Sequence, residues 1–328
     1  MHSAAPQRAP RQRRPKIVGF GFWSADAVLS IETIVAAELA GVAQIWLTQA
    51  PTAPDSLTVF AAALSRTRQI RVGTAITPTY PRHPLLLAQQ ALALEGLAPG
   101  RLRLGLGPAS KDVIEGQYGL PMHAPLIHLR EYVGLVRSLL WEGHARHQGR
   151  FYTVAANLPH APKTPLLLSA LGPAAFRLAG ALADGAISWM APTPYLLGVA
   201  LPNLQAGADE ARRPRPPLIA HVPVALSENP AAVRAAAQGA LEYFRTLPAY
   251  MSMFSAAGLF DGPAEEAAAR LAALLIVAGD EASVAARLRD VLATEIDEVL
   301  VTTLPVADEA AERRRLIGLV GALQAGAL

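Results

Sequence analysis

No cysteine occurs among the 328 residues. Disulfides, thiolate metal sites and catalytic thiols are therefore excluded, and so is a disulfide-stapled secreted domain. Lysine is almost missing: Lys16, Lys111 and Lys163 are the whole supply. No uninterrupted apolar run approaches the ~20 residues needed to cross a bilayer. No Walker sequence, HExxH or GxSxG is present. GFGFWS near residue 19 is not GxGxxG, and LGLGPAS at 104–110 lacks the third glycine, so a dinucleotide fingerprint is absent too. His144 and His147 stand close together, but beside Arg146 and Arg150 in an extended insert. They read as an exposed pair, and no metal site is expected.

What is present is apolar. Hydrophobic residues make up 52% of the chain and charged residues 17%, ample material for one large core. The formal charge is +3, but Arg8, Arg11, Arg13, Arg14 and Lys16 crowd the first sixteen positions. Without them the body is close to neutral, so nucleic acid is not an expected partner. Residues 1–15 read as a disordered basic tail, since Pro, Arg and Gln without apolar periodicity cannot form a core. The tail lacks the apolar stretch of a secretory signal, and an extended start is the simpler reading. Residues 16–328 are then one domain of a protein expected to be soluble and cytoplasmic, with no membrane partner.

Strand and helix signals alternate along that domain. Strands are expected at Ile17–Phe22, Ile45–Leu47, Ile70–Ile76, Arg101–Gly107, Leu166–Ser169, Gly185–Ser188, Leu218–Val224 and Glu298–Thr302. Helices are expected at Ser30–Ala40, with Ser30 as N-cap, and at Asp55–Arg66, Pro84–Leu97, Pro125–Trp141 and Pro173–Leu182. Further helices fall at Tyr195–Ala211, Pro230–Leu247, Ala264–Ile276 and Asp280–Thr294, with a last one to the C-terminus. Gly143–Val154 breaks the rhythm as a short hairpin or extended insert. Eight strands, nearly all followed by a helix, describe an α/β protein of the (β/α)8 TIM-barrel type, with an insertion after strand four. A doubly wound open sheet is the competing arrangement.

The most informative stretch is RVGTAITPTYPRHP at 71–84, where a strand ends in a proline-stiffened turn that starts a helix. Such strand-to-helix turns are where ligands sit in α/β folds. This segment resembles the third strand of the bacterial luciferase-like superfamily. LGLG at 104–107, VIEGQYGL at 113–120, WEGHARHQGRFY at 141–152, LLLSALGPAAFRLAGALADG at 166–185 and GDEASVAARLRDVL at 279–292 carry the resemblance across nearly the whole chain, with the coenzyme F420-dependent oxidoreductase branch the most similar. The resemblance implies a non-prolyl cis peptide at Ala75-Ile76, or at Thr74-Ala75, supporting a flavin or deazaflavin ring. It also implies a cofactor cradle of Thr74, Ala75, Ile76, Thr77, His83, Gly107, Ser110 and Tyr118, with a phosphate-binding turn at Ala170, Leu171 and Gly172. Trp23 and Trp189 would line the substrate side. A homodimer acting on a small molecule is the implied assembly.

Several of these residues have a purely structural reading. His83 either meets a ligand or hydrogen-bonds its own turn. Tyr118 either covers the cofactor or packs in its loop, and Ser110 and Lys111 either touch phosphate or are solvated. Trp46, mid-strand, reads as core. The chain also departs from the family. Where the sugar-phosphate dehydrogenase branch has an acidic residue and a histidine at the end of strand two, this chain has Thr48 and Gln49. A glutamine cannot exchange a proton near neutral pH. The glutamate after strand four is missing, and the scarcity of lysine leaves few groups to clamp a phosphate. The implied activity is hydride transfer between F420 and a small organic substrate, by reduction of an activated C=C or C=N bond, with Gln49 hydrogen-bonding substrate or cofactor. An FMN-dependent monooxygenase using oxygen is the alternative. A non-catalytic flavin-binding protein is a further one.

Overall fold

The computed structural model describes residues 16–258 and 264–326; the expected tail at 1–15 lies outside them. The strands are β1 (Ile17–Phe22), β2 (Gln44–Leu47), β3 (Arg71–Thr74), β4 (Thr77–Pro78), β5 (Leu102–Gly107), β6 (His144–Gln148), β7 (Thr153–Asn157), β8 (Leu166–Ser169), β9 (Gly185–Ile187), β10 (Leu218–Ala225), β11 (Val277–Ala278) and β12 (Glu298–Thr303). β1, β2, β3, β5, β8, β9, β10 and β12 pair in parallel in that order, and β12 returns to β1. That last pairing closes a TIM barrel and excludes the open sheet. Helices cover the outside, so the staves are buried on both faces. β10, LIAHVPVA, is buried at every position, as expected for a parallel strand between two apolar layers.

The barrel interior is filled in layers. Arg103 of β5, Glu298 of β12 and Gln44 of β2 form the lowest. The Arg103 guanidinium donates to Glu298 Oε2 at 2.7 Å and Oε1 at 3.1 Å, and to Gln44 Oε1 at 2.5 Å. Gln44 Nε2 donates to Glu298 Oε2 at 3.3 Å. Above them Trp46, Leu167, Ile187, Ile219 and Leu300 form an apolar cluster that includes Ala75. Trp46 needs glycine neighbours. A Cβ at Gly73 would lie 2.3 Å from its ring, and one at Gly19 would lie 2.9 Å from its Nε1.

Most expected boundaries hold within one or two residues, and the exceptions have local causes. The first helix begins at Ala27, not Ser30. Asp26 is its cap, accepting from Val28 N at 2.7 Å and Leu29 N at 3.1 Å. Ser30 lies one turn inside, with its hydroxyl on Asp26 O at 2.8 Å. The third strand stops at Thr74 and resumes at Thr77. The helix from Pro125 is α-helical only to Arg137. It widens to a π turn over Ser138–Glu142 and ends at Gly143, φ +80°. The helix expected at Pro230–Leu247 ends at Thr246, and a further helix that was not expected follows at Pro248–Ala256, with Pro248 in its first turn. That position tolerates proline because the missing N–H has no intrahelical partner there. The insert is an antiparallel hairpin, β6–β7. Glu131 holds its tip by accepting the backbone N–H groups of Arg150, Phe151 and Tyr152. Among the described residues no helix is long and apolar enough to cross a membrane.

Removing one partner of a buried ion pair strands the other charge, at a cost of about 3–5 kcal/mol. Arg103→Ala is expected to lose stability on that scale, read as a fall in the urea midpoint.

Candidate active site

The staves end together at one face of the barrel, where TIM-barrel proteins carry their chemistry. The break in the third stave lies there. Thr74 is buried, and its hydroxyl donates to Gly105 O at 2.8 Å. The Ala75 N–H bonds Leu47 O at 3.0 Å. The Ala75-Ile76 peptide is cis, the first of the two bonds the resemblance singled out. Thr77 then pairs with Leu106 of β5, and its buried hydroxyl has no hydrogen-bond partner in the protein.

Gly107 stands beside this break. A Cβ there would lie 2.4 Å from Ser169 Oγ and 3.2 Å from the Ile76 side chain. Glycine therefore lets the Ser169 and Ile76 side chains pack directly against β5. Ala170 is buried, with its N–H on Ile187 O at 2.9 Å. Leu171 O receives the Tyr195 hydroxyl at 2.7 Å. Gly172 caps the helix Pro173–Leu182 without a side-chain acceptor, and open space surrounds the place a Cβ would take. Pro173 has no N–H and the Ala175 N–H already bonds Gly172 O at 3.0 Å, so an anionic group at this helix start would meet the Ala174 N–H and the positive end of the helix dipole.

Other expected site residues point elsewhere. Gln49 does not present a free amide. Its Nε2 donates to Ala50 O at 2.9 Å, and its Oε1 accepts the Ser56 N–H at 2.7 Å. The side chain thus ties its own loop to the start of helix Ser56–Arg66. His83 caps the helix Pro84–Leu97, with Nδ1 accepting from Leu85 N at 3.2 Å, and meets Tyr152 of the hairpin edge-on. Ser110 Oγ accepts weakly from Val113 N at 3.4 Å, at the head of a π turn that ends beside half-buried Tyr118. Trp23 is 59% exposed on the rim.

Trp189 has a partner that the sequence reading missed. Its ring stacks on His221 of β10, with centroids 3.7 Å apart and planes 3° from parallel. Met190 N donates to His221 Nδ1 at 3.2 Å, so the ring proton sits on Nε2, 2.9 Å from Thr302 Oγ1 of β12. Burial pushes the His221 pKa down to about 3, and the ring is neutral at ordinary pH. The available signal was a lone polar residue at an inward position of an otherwise apolar strand. His128 was also missed. It is buried under Tyr80, whose ring stacks on it at 3.9 Å, and it contacts the Tyr152 hydroxyl at 2.8 Å. Burial lowers its pKa to about 4, against an opposing pull from Glu131. Among the described residues no cluster suited to a metal ion exists. A cavity of about 320 Å³ adjoins β10, lined by Ala191, Ala220, His221, Val222, Leu275 and Val291 among others.

A family model described as luciferase-like monooxygenase matches residues 27–298. An F420-dependent glucose-6-phosphate dehydrogenase of Microbacterium testaceum (strain StLB037) is 32% identical over 195 residues, 57% of this chain and 58% of that protein. The match thus spans little more than half of that relative's length. Two solved structures share the fold. One is the coenzyme F420-dependent tetrahydromethanopterin reductase of Methanopyrus kandleri, at TM-score 0.74 and 21% identity, covering 94% of this chain and 98% of that one. The other is the EDTA monooxygenase of Chelativorans sp. BNC1, at TM-score 0.77 and 14% identity, covering 96% and 94%.

Two predictions follow from the geometry. His221 and His128 titrate near 6.5 when unfolded but near 3 and 4 when folded. Between those values the unfolded chain takes up protons that the folded chain refuses. Stability is therefore lost as pH falls from about 6.5 toward 4, on the order of 1 kcal/mol per pH unit for each ring. Urea unfolding at pH 7 and pH 5 should show the fall, and His221→Phe should make it shallower. Separately, Gln49→Ala removes the cap on the Ser56 N–H and should lower stability by about 1–2 kcal/mol. An unchanged urea midpoint would show that the loop holds without the amide.

Proposed function

The chain belongs to the luciferase-like monooxygenase family, and from that premise we propose that it is an oxidoreductase moving a hydride between the deazaflavin coenzyme F420 and a small organic substrate. Reduction of an activated C=C or C=N bond is the proposed direction. The observation that carries the reading is the uncapped start of the helix Pro173–Leu182, where open space surrounds the place a Gly172 Cβ would take. An anionic cofactor tail fits such an open helix start at the strand-end face. The dehydrogenase of Microbacterium testaceum and the reductase of Methanopyrus kandleri are both named as F420-dependent, which supports the choice of cofactor.

When bound, F420 supplies the hydride carrier, and the protein supplies binding, orientation and exclusion of water. Thr74, Ala75, Ile76, Thr77 and Gly107 would hold the ring. The turn Ala170, Leu171 and Gly172 would hold the anionic tail at the helix start, and Ser110 and Tyr118 would border the opening. Trp189 would face the substrate. Gln49 acts in this reading as a positioning group for the loop after β2, not as an acid or base. No titrating side chain replaces it: the two positions after β2 are Thr48 and Gln49. The proton accompanying a hydride then comes from solvent or from a hydroxyl of the site. Alcohol oxidation needs a base at that point, so reduction suits the site better. Sugar phosphate fits poorly on the lysines: Lys163 lies just before β8, at the opposite end of the barrel from the strand-end face. Lys16 bonds the carbonyls of Thr294 and Ile296, and Lys111 pairs with Glu115 at 3.5 Å.

The second reading is an FMN-dependent monooxygenase, favoured by the description of the family model and by the EDTA monooxygenase fold. A cytoplasmic homodimer is the proposed setting for either activity. Fluorescence titration separates the two. F420 is expected to bind at least about tenfold more tightly than FMN, about 1.4 kcal/mol. Equal or reversed affinities, with oxygen uptake in the presence of reduced FMN, would favour the monooxygenase.

A further inference from the structure

Trp189 is built as a platform rather than as filler. Its stacked face is closed by His221, itself only 3% exposed. Two hydrogen bonds fix that imidazole: Met190 N–H donates to Nδ1, and Nε2–H donates to Thr302. Met190 adopts φ +50°, a left-handed conformation that is unfavourable for a non-glycine residue. The bend directs its N–H to the imidazole. Three neighbouring staves, β9, β10 and β12, therefore converge to hold one indole flat. Trp189 is half-buried and stands two residues beyond Ile187, whose side chain belongs to the interior cluster. It rests on the same interior cluster of Trp46, Ala75, Leu167, Ile187, Ile219 and Leu300 as the partly exposed Ile76. The platform and the broken third stave thus look onto one space.

The strand ends that border that space carry no charge. Across all eight staves, neither of the two residues following the strand carries a charge among the described residues: the sixteen positions run from Trp23 and Ser24 to Leu304 and Pro305. An anionic or cationic substrate would lose its hydration there without gaining a counter-charge. A flat indole in an uncharged mouth instead favours a planar π-system.

We infer that the face of Trp189 held flat by His221 and Thr302 is the substrate subsite, and that it selects planar, uncharged, conjugated molecules. The inference rests on the proposed function and names its substrate class. His221 acts through Trp189 and is a positioning residue.

The test is equilibrium binding of benzylideneacetone, a planar neutral enone, and of glucose 6-phosphate to the full-length protein. Each is measured alone and with saturating oxidised F420. The enone is expected to bind, and glucose 6-phosphate to bind at least about tenfold more weakly. Trp189→Leu should weaken enone binding about tenfold, the scale of a stacking contact with its buried area. Trp189→Phe keeps a flat face and should retain most of the affinity. His221→Ala should lose enone affinity together with the near-ultraviolet circular dichroism of an ordered indole, and His221→Phe should restore both. If His221→Ala fails to fold, His221→Leu, which fills the volume without a flat face, reads the same loss. Unchanged enone affinity in Trp189→Leu overturns the inference, as does equal binding of glucose 6-phosphate. Loss of F420 binding in the wild-type protein, with enone binding intact, would instead overturn the cofactor reading alone.

Discussion

One buried ion pair sets the geometry on which the rest of this barrel depends. Arg103 and Glu298 sit on β5 and β12, four staves apart in a ring of eight, so their contact crosses the interior rather than joining neighbours. Gln44 of β2 closes the triangle. Two charges taken out of water gain little net stability even when well paired. What they fix is position. Two guanidinium nitrogens meet two carboxylate oxygens, and a bidentate pair of this kind tolerates little change in register. The Arg103 guanidinium also lies 5.1 Å from the Trp46 ring centroid. Trp46 fills the space that Gly19 and Gly73 leave. The apolar cluster around it forms the floor under Ile76 and Trp189. The mouth therefore rests, layer on layer, on a polar plug at the opposite end.

The staves were legible in the sequence because each is a short apolar run between turn residues, and burial on both faces demands such runs. The ends were less legible because competing signals lie close together. Ser30 and Asp26 can both cap a helix, and the carboxylate four residues earlier wins by meeting two N–H groups. Pro248 has the same appearance whether it stops one helix or opens the next. The π turn at Ser138–Glu142 leaves no periodic trace in the sequence. The family resemblance located the break at Ala75-Ile76, which no propensity would have shown.

The candidate site was legible along the chain and illegible across it. Thr74, Ala75, Ile76, Thr77 and Gly107 could be named because they lie in contiguous segments that carry the resemblance. His221 and Thr302 could not, since their meaning arises only where β9, β10 and β12 meet. Gln49 shows the converse. Its place at the end of a strand suggested an outward-facing role, but a loop of small residues and prolines, APTAP at 50–54, has few side chains to satisfy its own carbonyls. The glutamine satisfies them instead.

These features bear on where selectivity can reside. A site that uses a histidine and a glutamate on its substrate discriminates by matching hydrogen bonds and proton transfers. Here the strand ends offer hydroxyls, glycines, a glutamine already committed to its loop, and two tryptophans. The buried histidine at the mouth is neutral, with both ring nitrogens engaged, so it shapes a surface and does not exchange protons. Discrimination must then come from shape, planarity and the desolvation cost of charge. Apolar pockets separate close analogues weakly, by about 1–3 kcal/mol per methylene, but they strongly disfavour ions whose hydration they cannot replace. Such a mouth suits a range of neutral flat molecules and leaves the choice of reaction to the cofactor that the third stave is proposed to hold.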